Sequence, residues 1–368
     1  MTELQLLHNT SRIIVFLLIF FSIFLLTVKS NKKKSNQLFS VFLLLVAIDI
    51  SGFFLSNWLS EHLFIENFRV ASTLLQMPIF YFYVLSVCYK NLNFKAKDGI
   101  HAILFLLFYS MFMVYGYSKK TLLVFQISSE VQYFFYIVLI FFALKKYKKI
   151  YIENYTNPEN LNYKWLAQMT TVLLFAHLFV FSKFIVRFTD NSGAVLLLNV
   201  VVVISALLVS SYFVLKALYQ PQLFRGIEQN DVTIISKNIK KTDAINDSEI
   251  NFETNQKIKV LEQFMKDEEP FLDADLTIQN LAAQIGYSQK ELSTLINHHI
   301  GKHFFDFINE HRIRKAMSIL ENPLEKNLTV LEILYQVGFN SKSSFNTAFK
   351  KYSNLTPIEY RKRSLSNQ

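Results

Sequence analysis

The stretch Leu281-Ala282-Ala283-Gln284-Ile285-Gly286-Tyr287-Ser288 has a second copy further along the chain, Ile333-Leu334-Tyr335-Gln336-Val337-Gly338-Phe339-Asn340-Ser341. Each copy reads as a short helix ending at a glycine, a tight turn, and a second helix with a polar start. Ala282 is small where the two helices would cross. Gly286 and Gly338 can supply the positive φ of the turn. Ser288-Gln289-Lys290-Glu291 has the form of a capping box, and Ser341 is a good N-cap for the other second helix. Leu292, Leu295 and Ile296 give the first of these helices an inner face, as Phe345 and Phe349 do for the second. Their opposite faces carry Lys290, Ser293, Thr294 and Asn297, and Lys342, Ser343, Asn346, Thr347 and Lys350. A helix that reads a DNA groove is anchored from behind, carries donors and acceptors in front, and has an electropositive N-terminus.

Between the two units the pattern Phe304, Phe307, Ile308, Ile313, Ala316, Ile319-Leu320 predicts a helix from about Phe304 to Glu321. Its length is near 27 Å at 1.5 Å per residue. With the width of each unit added, that matches the roughly 34 Å between successive major-groove openings on one face of DNA. Thr356-Pro357-Ile358-Glu359 reads as N-cap, N1 proline and N3 glutamate of a last short helix bearing Arg361, Lys362 and Arg363. Upstream, a helix is expected to begin after Thr254, with Ile258, Leu261, Phe264 and Met265 on one face, and to stop before Pro270.

The stretch 270–363 resembles the DNA-binding domain of the AraC/XylS family of bacterial regulators. The matching text includes Pro270-Phe271-Leu272, Leu276-Thr277, Leu281-Ala282, Gly286-Tyr287-Ser288, Phe305-Asp306-Phe307-Ile308-Asn309, Arg312-Ile313, Gly338-Phe339, Phe345, Phe349-Lys350-Lys351-Tyr352 and Thr356-Pro357-Ile358-Glu359-Tyr360-Arg361. The resemblance implies sequence-specific binding of double-stranded DNA near promoters, often with activation of transcription. It places the base-contacting positions on Lys290, Ser293 and Thr294 and on Lys342, Ser343 and Thr347. Ser288, Gln289, Asn297, Ser341, Asn346 and Lys350 complete the expected DNA-binding set. Many members carry Arg where this chain has Thr294 and Thr347. Threonine cannot form a bidentate guanine contact, so the family's base preference does not carry over. Arg312 is expected to pair within the domain.

Outward from this domain the composition changes. Of 38 Lys+Arg and 28 Asp+Glu, residues 1–224 hold about 19 cations and only about 9 acids, so the net charge of +10 belongs to that half. Within the rest, residues 225–287 are net acidic by about 5 and residues 288–368 net basic by about 5. Apolar spans near 10–28, 37–59, 71–89, 99–118, 121–144, 166–188 and 194–216 are each long enough to cross a hydrocarbon core of about 30 Å. No cleavable signal peptide is read, because the first span lacks a small-residue cleavage site and more spans follow.

Lys29, Lys32, Lys33, Lys34, Lys90, Lys95, Lys97, Lys145, Lys146, Lys148, Lys149 and Lys164 fall on one side of these spans. Arg12, Arg69, Lys119, Lys120 and Arg187 fall on the other. The positive-inside rule then puts the N-terminus outside and everything after Lys216 in the cytoplasm of a bacterial inner membrane. An odd number of spans, which puts the two termini on opposite sides, agrees with this.

Within the spans stand polar groups that are costly in lipid: Asp49, Glu130 with Gln126, Ser129 and Tyr133 at helical spacing, His177, Lys183 and Asn199. They read either as a ligand cavity, with Asp49, Glu130, Gln126 and His177 as its candidate residues, or as hydrogen bonds between helices. Pro78 marks a kink in the third span. The N-terminal half resembles, in topology alone, a seven-helix sensor module.

The expected architecture is all-α: a seven-transmembrane-helix bundle over 1–219, a polar linker over 220–254, and a soluble double helix-turn-helix domain over 255–368. Gln220-Pro221-Gln222 is expected to break the last span, and Val232–Ile235 could add a short strand-like piece. The single cysteine, Cys88, excludes an intramolecular disulfide framework. No phosphate-binding loop, catalytic triad or kinase pattern is found, so neither an enzyme nor a cofactor is expected. His298, His299 and His303 lie close together, but Gly301 should break the helix, so no metal site is expected there. The expected partners are DNA, membrane lipid and a small-molecule signal, with contact to RNA polymerase and a homodimer as further expectations. The bundle reads as a sensor; as alternatives it is transporter-like or only an anchor.

Overall fold

The computed structural model describes residues 2–29, 33–89, 95–156, 162–186, 192–219, 247–325 and 327–366. Every regular element among them is helical. The chain divides into two compact units, Met1–Lys145 with Asn162–Ser236, and Lys146–Leu161 with Lys237–Gln368.

The first unit is built from α1 (Glu3–Thr27), α2 (Lys33–Glu61), α3 (Leu63–Cys88), α4 (Ile103–Tyr115), most of α5 (Lys119–Ile152), α6 (Asn162–Val186) and α7 (Ser192–Tyr219). A 3-10 turn, Ala96–Ala102, leads into α4, so the fourth apolar span is not one uniform α-helix. The seven are long and apolar enough to cross a membrane. Phe39 is fully buried, with its ring 4.7 Å from Tyr83 and 6.1 Å from Phe21. Small polar side chains join neighbouring helices: the hydroxyls of Ser22 and Ser40 lie 2.5 Å apart, and Ser86 donates to Ser35 at 3.0 Å. Large apolar side chains such as Phe16, Phe20, Val131, Phe142 and Leu208 stay exposed.

The second unit has two cores on one shared helix. In α8 (Asp247–Asp267), Leu261 and Met265 are buried against Phe271, Leu281, Leu292, Leu295 and Ile296. In α11 (Phe304–Glu321), Phe304, Phe307 and Ile308 face that core, while Ile313, Ala316 and Leu320 face Ile333, Val337, Phe345 and Phe349. The switch halfway along is why a single 18-residue helix carries both helix-turn-helix units.

One boundary differs from expectation. The helix expected after Thr254 begins at Asp247. Helix therefore extends into the stretch that composition marks as linker. The break at Gln220–Gln222, the piece Val232–Ile235, and Lys32, Lys90 and Arg187 lie outside the described residues.

Candidate DNA interface

The first unit of the repeat is α9 (Ile278–Ile285), Gly286 at φ 78°, and α10 (Gln289–Thr294), which continues as a π turn over Leu295–His299. The Thr277 hydroxyl accepts from the amide of Asn280, and the Ser288 hydroxyl from that of Glu291 at 3.2 Å. Only half of the expected capping box forms here. The Glu291 carboxylate instead meets the Lys257 ammonium of α8 at 2.7 Å. That hydrogen bond holds the Glu291 carboxyl below the usual range and ties α10 to α8. The histidine segment ends as expected, with Gly301 in the left-handed region at φ 73°. Among the described residues no three metal-binding side chains cluster.

The second unit of the repeat is α12 (Val330–Gln336), Gly338 at φ 86°, and α13 (Lys342–Ser353). Thr329 and Glu332 make a complete capping box that the sequence reading missed, although Thr-x-x-Glu is its ordinary signature. Ser341 caps α13 by accepting from Ser344 at 3.3 Å. Thr356 and Glu359 close the expected box at the start of α14 (Pro357–Ser366).

Leu292 and Ile296 of α10 and its π turn, and Phe345 and Phe349 of α13, are fully buried. On the outer faces Ser288, Lys290 and Thr294 are exposed and Gln289, Ser293 and Asn297 half-buried. Lys342, Ser343, Asn346, Thr347 and Lys350 are exposed and Ser341 half-buried. Asn297 donates to the Ser293 hydroxyl at 3.1 Å, and Gln289 donates to the Asn154 side chain at 3.0 Å. Lys342, Asn346, Thr347 and Lys350 line one shallow groove with Leu331 and Ile358. Lys351 departs from its neighbour Lys350, since it pairs with Asp306 of α11 at 2.6 Å. Arg312 is buried and donates to the carbonyls of Phe271 and Asp273 at 2.6 and 2.7 Å, so it pairs inside the domain.

Two clusters hold Asp49 and Glu130 in the first unit. Arg69 forks onto Glu66 at 2.6 and 2.7 Å and reaches the Asp49 carboxylate at 3.5 Å. A Cβ on Gly52 would overlap the guanidinium, so this glycine leaves the space it occupies. Glu130 meets His177 at 2.8 Å, and the Tyr133 ring stacks on the His177 ring at 3.5 Å. A cavity of about 180 Å³ lies in this unit, bounded by Tyr133, His177 and Gln76 with Phe21, Phe42 and Ser210. Of the four candidate cavity residues only His177 lines it. Asp49 is held by Arg69 and Glu130 by its hydrogen bond to His177, and neither they nor Gln126 border the space. Sequence spacing places side chains on a face but does not say which partner across the bundle claims them.

A family model described as a helix-turn-helix domain matches residues 281–363. The chain is 33% identical over 87 residues to an HTH-type transcriptional regulator of Bacillus subtilis, YdeC, covering 24% of this chain and 29% of that one. It is 36% identical over 84 residues to the HTH-type transcriptional regulator GlxA of Rhizobium meliloti, covering 23% and 25%. The chain thus spans under a third of the length of these relatives. Two solved structures are similar over the same region. One is the C-terminal domain of AraT, a response regulator from Geobacillus stearothermophilus, at 30% identity, covering 28% of this chain and 82% of that one, TM-score 0.25. The other is the C-terminal domain of the response regulator yesN from Fusobacterium nucleatum, at 33% identity, covering 29% and 98%, TM-score 0.25. Residues 281–363 of this chain thus form a helix-turn-helix domain of the AraC type.

Proposed function

We propose that the chain is a membrane-embedded, one-component transcription regulator. Its seven apolar helices cross the bacterial inner membrane with the N-terminus outside, and its C-terminal domain reads promoters from the cytoplasm. The observation that carries DNA reading is the pair of groove-facing helices. Each is buried behind and polar in front, and α11 joins them at a length that suits successive major-groove openings. Membrane embedding is supported by the seven long helices, whose outer Phe, Val and Leu side chains would otherwise face water. The lysine-rich connections supply the orientation.

The bundle detects a small molecule, for which the cavity beside Tyr133 and His177 offers an apolar wall with a polar corner. Asp49, Glu130 and Gln126 act behind that wall, Glu130 through His177. At promoters the domain contacts RNA polymerase, and pairing of two chains would double the footprint. No catalytic step is assigned to any residue.

The test is genome-wide DNA occupancy of the tagged full-length protein, with and without residues 1–219. Discrete promoter peaks in both, with signal dependence only in the full chain, are expected. An absence of peaks in both refutes DNA reading, while signal-independent peaks in both refute sensing. Replacing Glu130 with Gln should keep the peaks and blunt their response.

A further inference from the structure

The second compact unit includes a piece of chain far from the rest in sequence, which begins at Lys146 in the last turns of α5 and continues beyond that helix's end at Ile152. Its last described residues lie along the start of the first helix-turn-helix. The carbonyl of Asn154 accepts from the amide of Ile278 at 3.1 Å. That amide is the first of α9, one of the donors a helix leaves without an intrahelical partner. Tyr155 pairs with Thr277 in an isolated antiparallel bridge. The buried Thr156 hydroxyl donates to the carbonyls of Leu276 and Ala274 at 3.0 and 3.3 Å and lies 3.5 Å from an Arg312 nitrogen. The Tyr155 ring stacks on the buried Tyr151 at 4.2 Å. Finally, the Asn154 side-chain oxygen accepts from the Gln289 amide at 3.0 Å.

These bonds are directional and satisfy main-chain groups that would need other partners. They make the edge Ala274–Ile278 a binding surface for an extended segment. Gln289 is also the first residue of α10, on the face read above as DNA-facing.

We propose that residues 154–156 form a built-in dock for the DNA-binding domain, and that docking and DNA contact by Gln289 exclude one another. The proposal rests on the reading of α10 as a groove-facing helix. The dock is the direct chain continuation of α5, which also carries Glu130 and Tyr133, the groups that engage His177. A change at that pair therefore has a covalent route to the DNA-binding surface. Release of the dock by the signal turns one equilibrium into another without any second protein.

The test uses the full chain in lipid nanodiscs and a mixed-sequence DNA duplex at low salt. In a Cys88→Ala background, Asn154→Cys with Gln289→Cys is treated with a short bis-maleimide, and Asn154→Cys with Lys362→Cys is the control. The first pair is expected to cross-link at least fivefold faster than the control, and saturating duplex is expected to suppress that reaction. The release variant Asn154→Ala with Thr156→Ala loses side-chain hydrogen bonds worth a combined factor of roughly ten, so its affinity for duplex should rise by about that factor. Cross-linking no faster than the control overturns the dock. Cross-linking that saturating duplex leaves unchanged, or a release variant with unaltered affinity, overturns the exclusion. If the cross-link forms and the unmodified chain binds no duplex, the dock stands, while the DNA-facing reading of α10 and the exclusion with it fall.

Discussion

The Arg312 guanidinium donates to the Phe271 carbonyl at 2.6 Å from the middle of the helix shared by both cores, with the Phe339 ring 5.5 Å from its carbon. Phe271 belongs to the first core and Phe339 to the second, so one buried cation ties the two helix-turn-helix units together. Burial pushes its pKa down to about 10, which leaves it charged at neutral pH. Replacing Arg312 with Leu strands the carbonyls of Phe271 and Asp273. We expect a loss of about 3 kcal/mol in urea unfolding of the 247–368 fragment, followed by far-ultraviolet circular dichroism. A loss under 1 kcal/mol would show that water replaces the guanidinium.

The two turn glycines predict unequal outcomes. Both have positive φ, so alanine is strained at either. At Gly286 the space is open, and the cost should stay near 1 kcal/mol. At Gly338 a Cβ would also fall 2.7 Å from the carbonyl oxygens of Phe271 and Leu272. Gly338→Ala should therefore cost several times more than Gly286→Ala in the same urea experiment, on the order of 3 kcal/mol. Equal losses would mean that the 270–272 turn moves aside freely.

His311 gives the domain a pH dependence of known sign. It lies between the Phe271 and Phe307 rings at 5.7 and 4.9 Å. Burial, followed by the charge of Arg314, pushes its pKa down from 6.5 to about 4. The folded domain keeps it neutral, while the unfolded chain binds a proton below about pH 6.5. Its contribution is whole above that pH and is lost as pH falls toward 4, by about 2 kcal/mol between pH 7 and pH 5. His311→Gln should remove that part of the slope in urea midpoints. An unchanged slope would place the titration elsewhere.

How much of this was legible in the sequence depended on how local each signal is. The helix Phe304–Glu321 and both glycine turns were readable because periodicity, caps and positive-φ glycines act within a few residues. The pairing of Glu291 with Lys257 was not, because a capping-box pattern says nothing of a lysine on another helix. Nor were the partners of Asp49 and Glu130, which sit in other apolar helices at distances that only packing decides. The bonds of Asn154 to Ile278 and Gln289 join residues more than a hundred positions apart, with no motif at either end.

The proposed topology has a direct check. A reporter active only in the cytoplasm should be active when fused after Gln220 and silent when fused after Glu66. The reverse pattern would place the DNA-binding domain on the wrong side of the membrane.

The most direct test of DNA reading is a footprint of residues 247–368 on a site recovered from genome-wide occupancy. Two protected major-groove segments about one helical turn apart are expected. Lys290→Ala or Lys342→Ala should cost about 1–3 kcal/mol and alter preference only within its own segment. Lys350→Ala, if it meets phosphate, should weaken all sequences alike and lower the salt slope by about one unit. Protection confined to one groove segment, with Lys290→Ala changing neither affinity nor preference, would contradict the two-unit account.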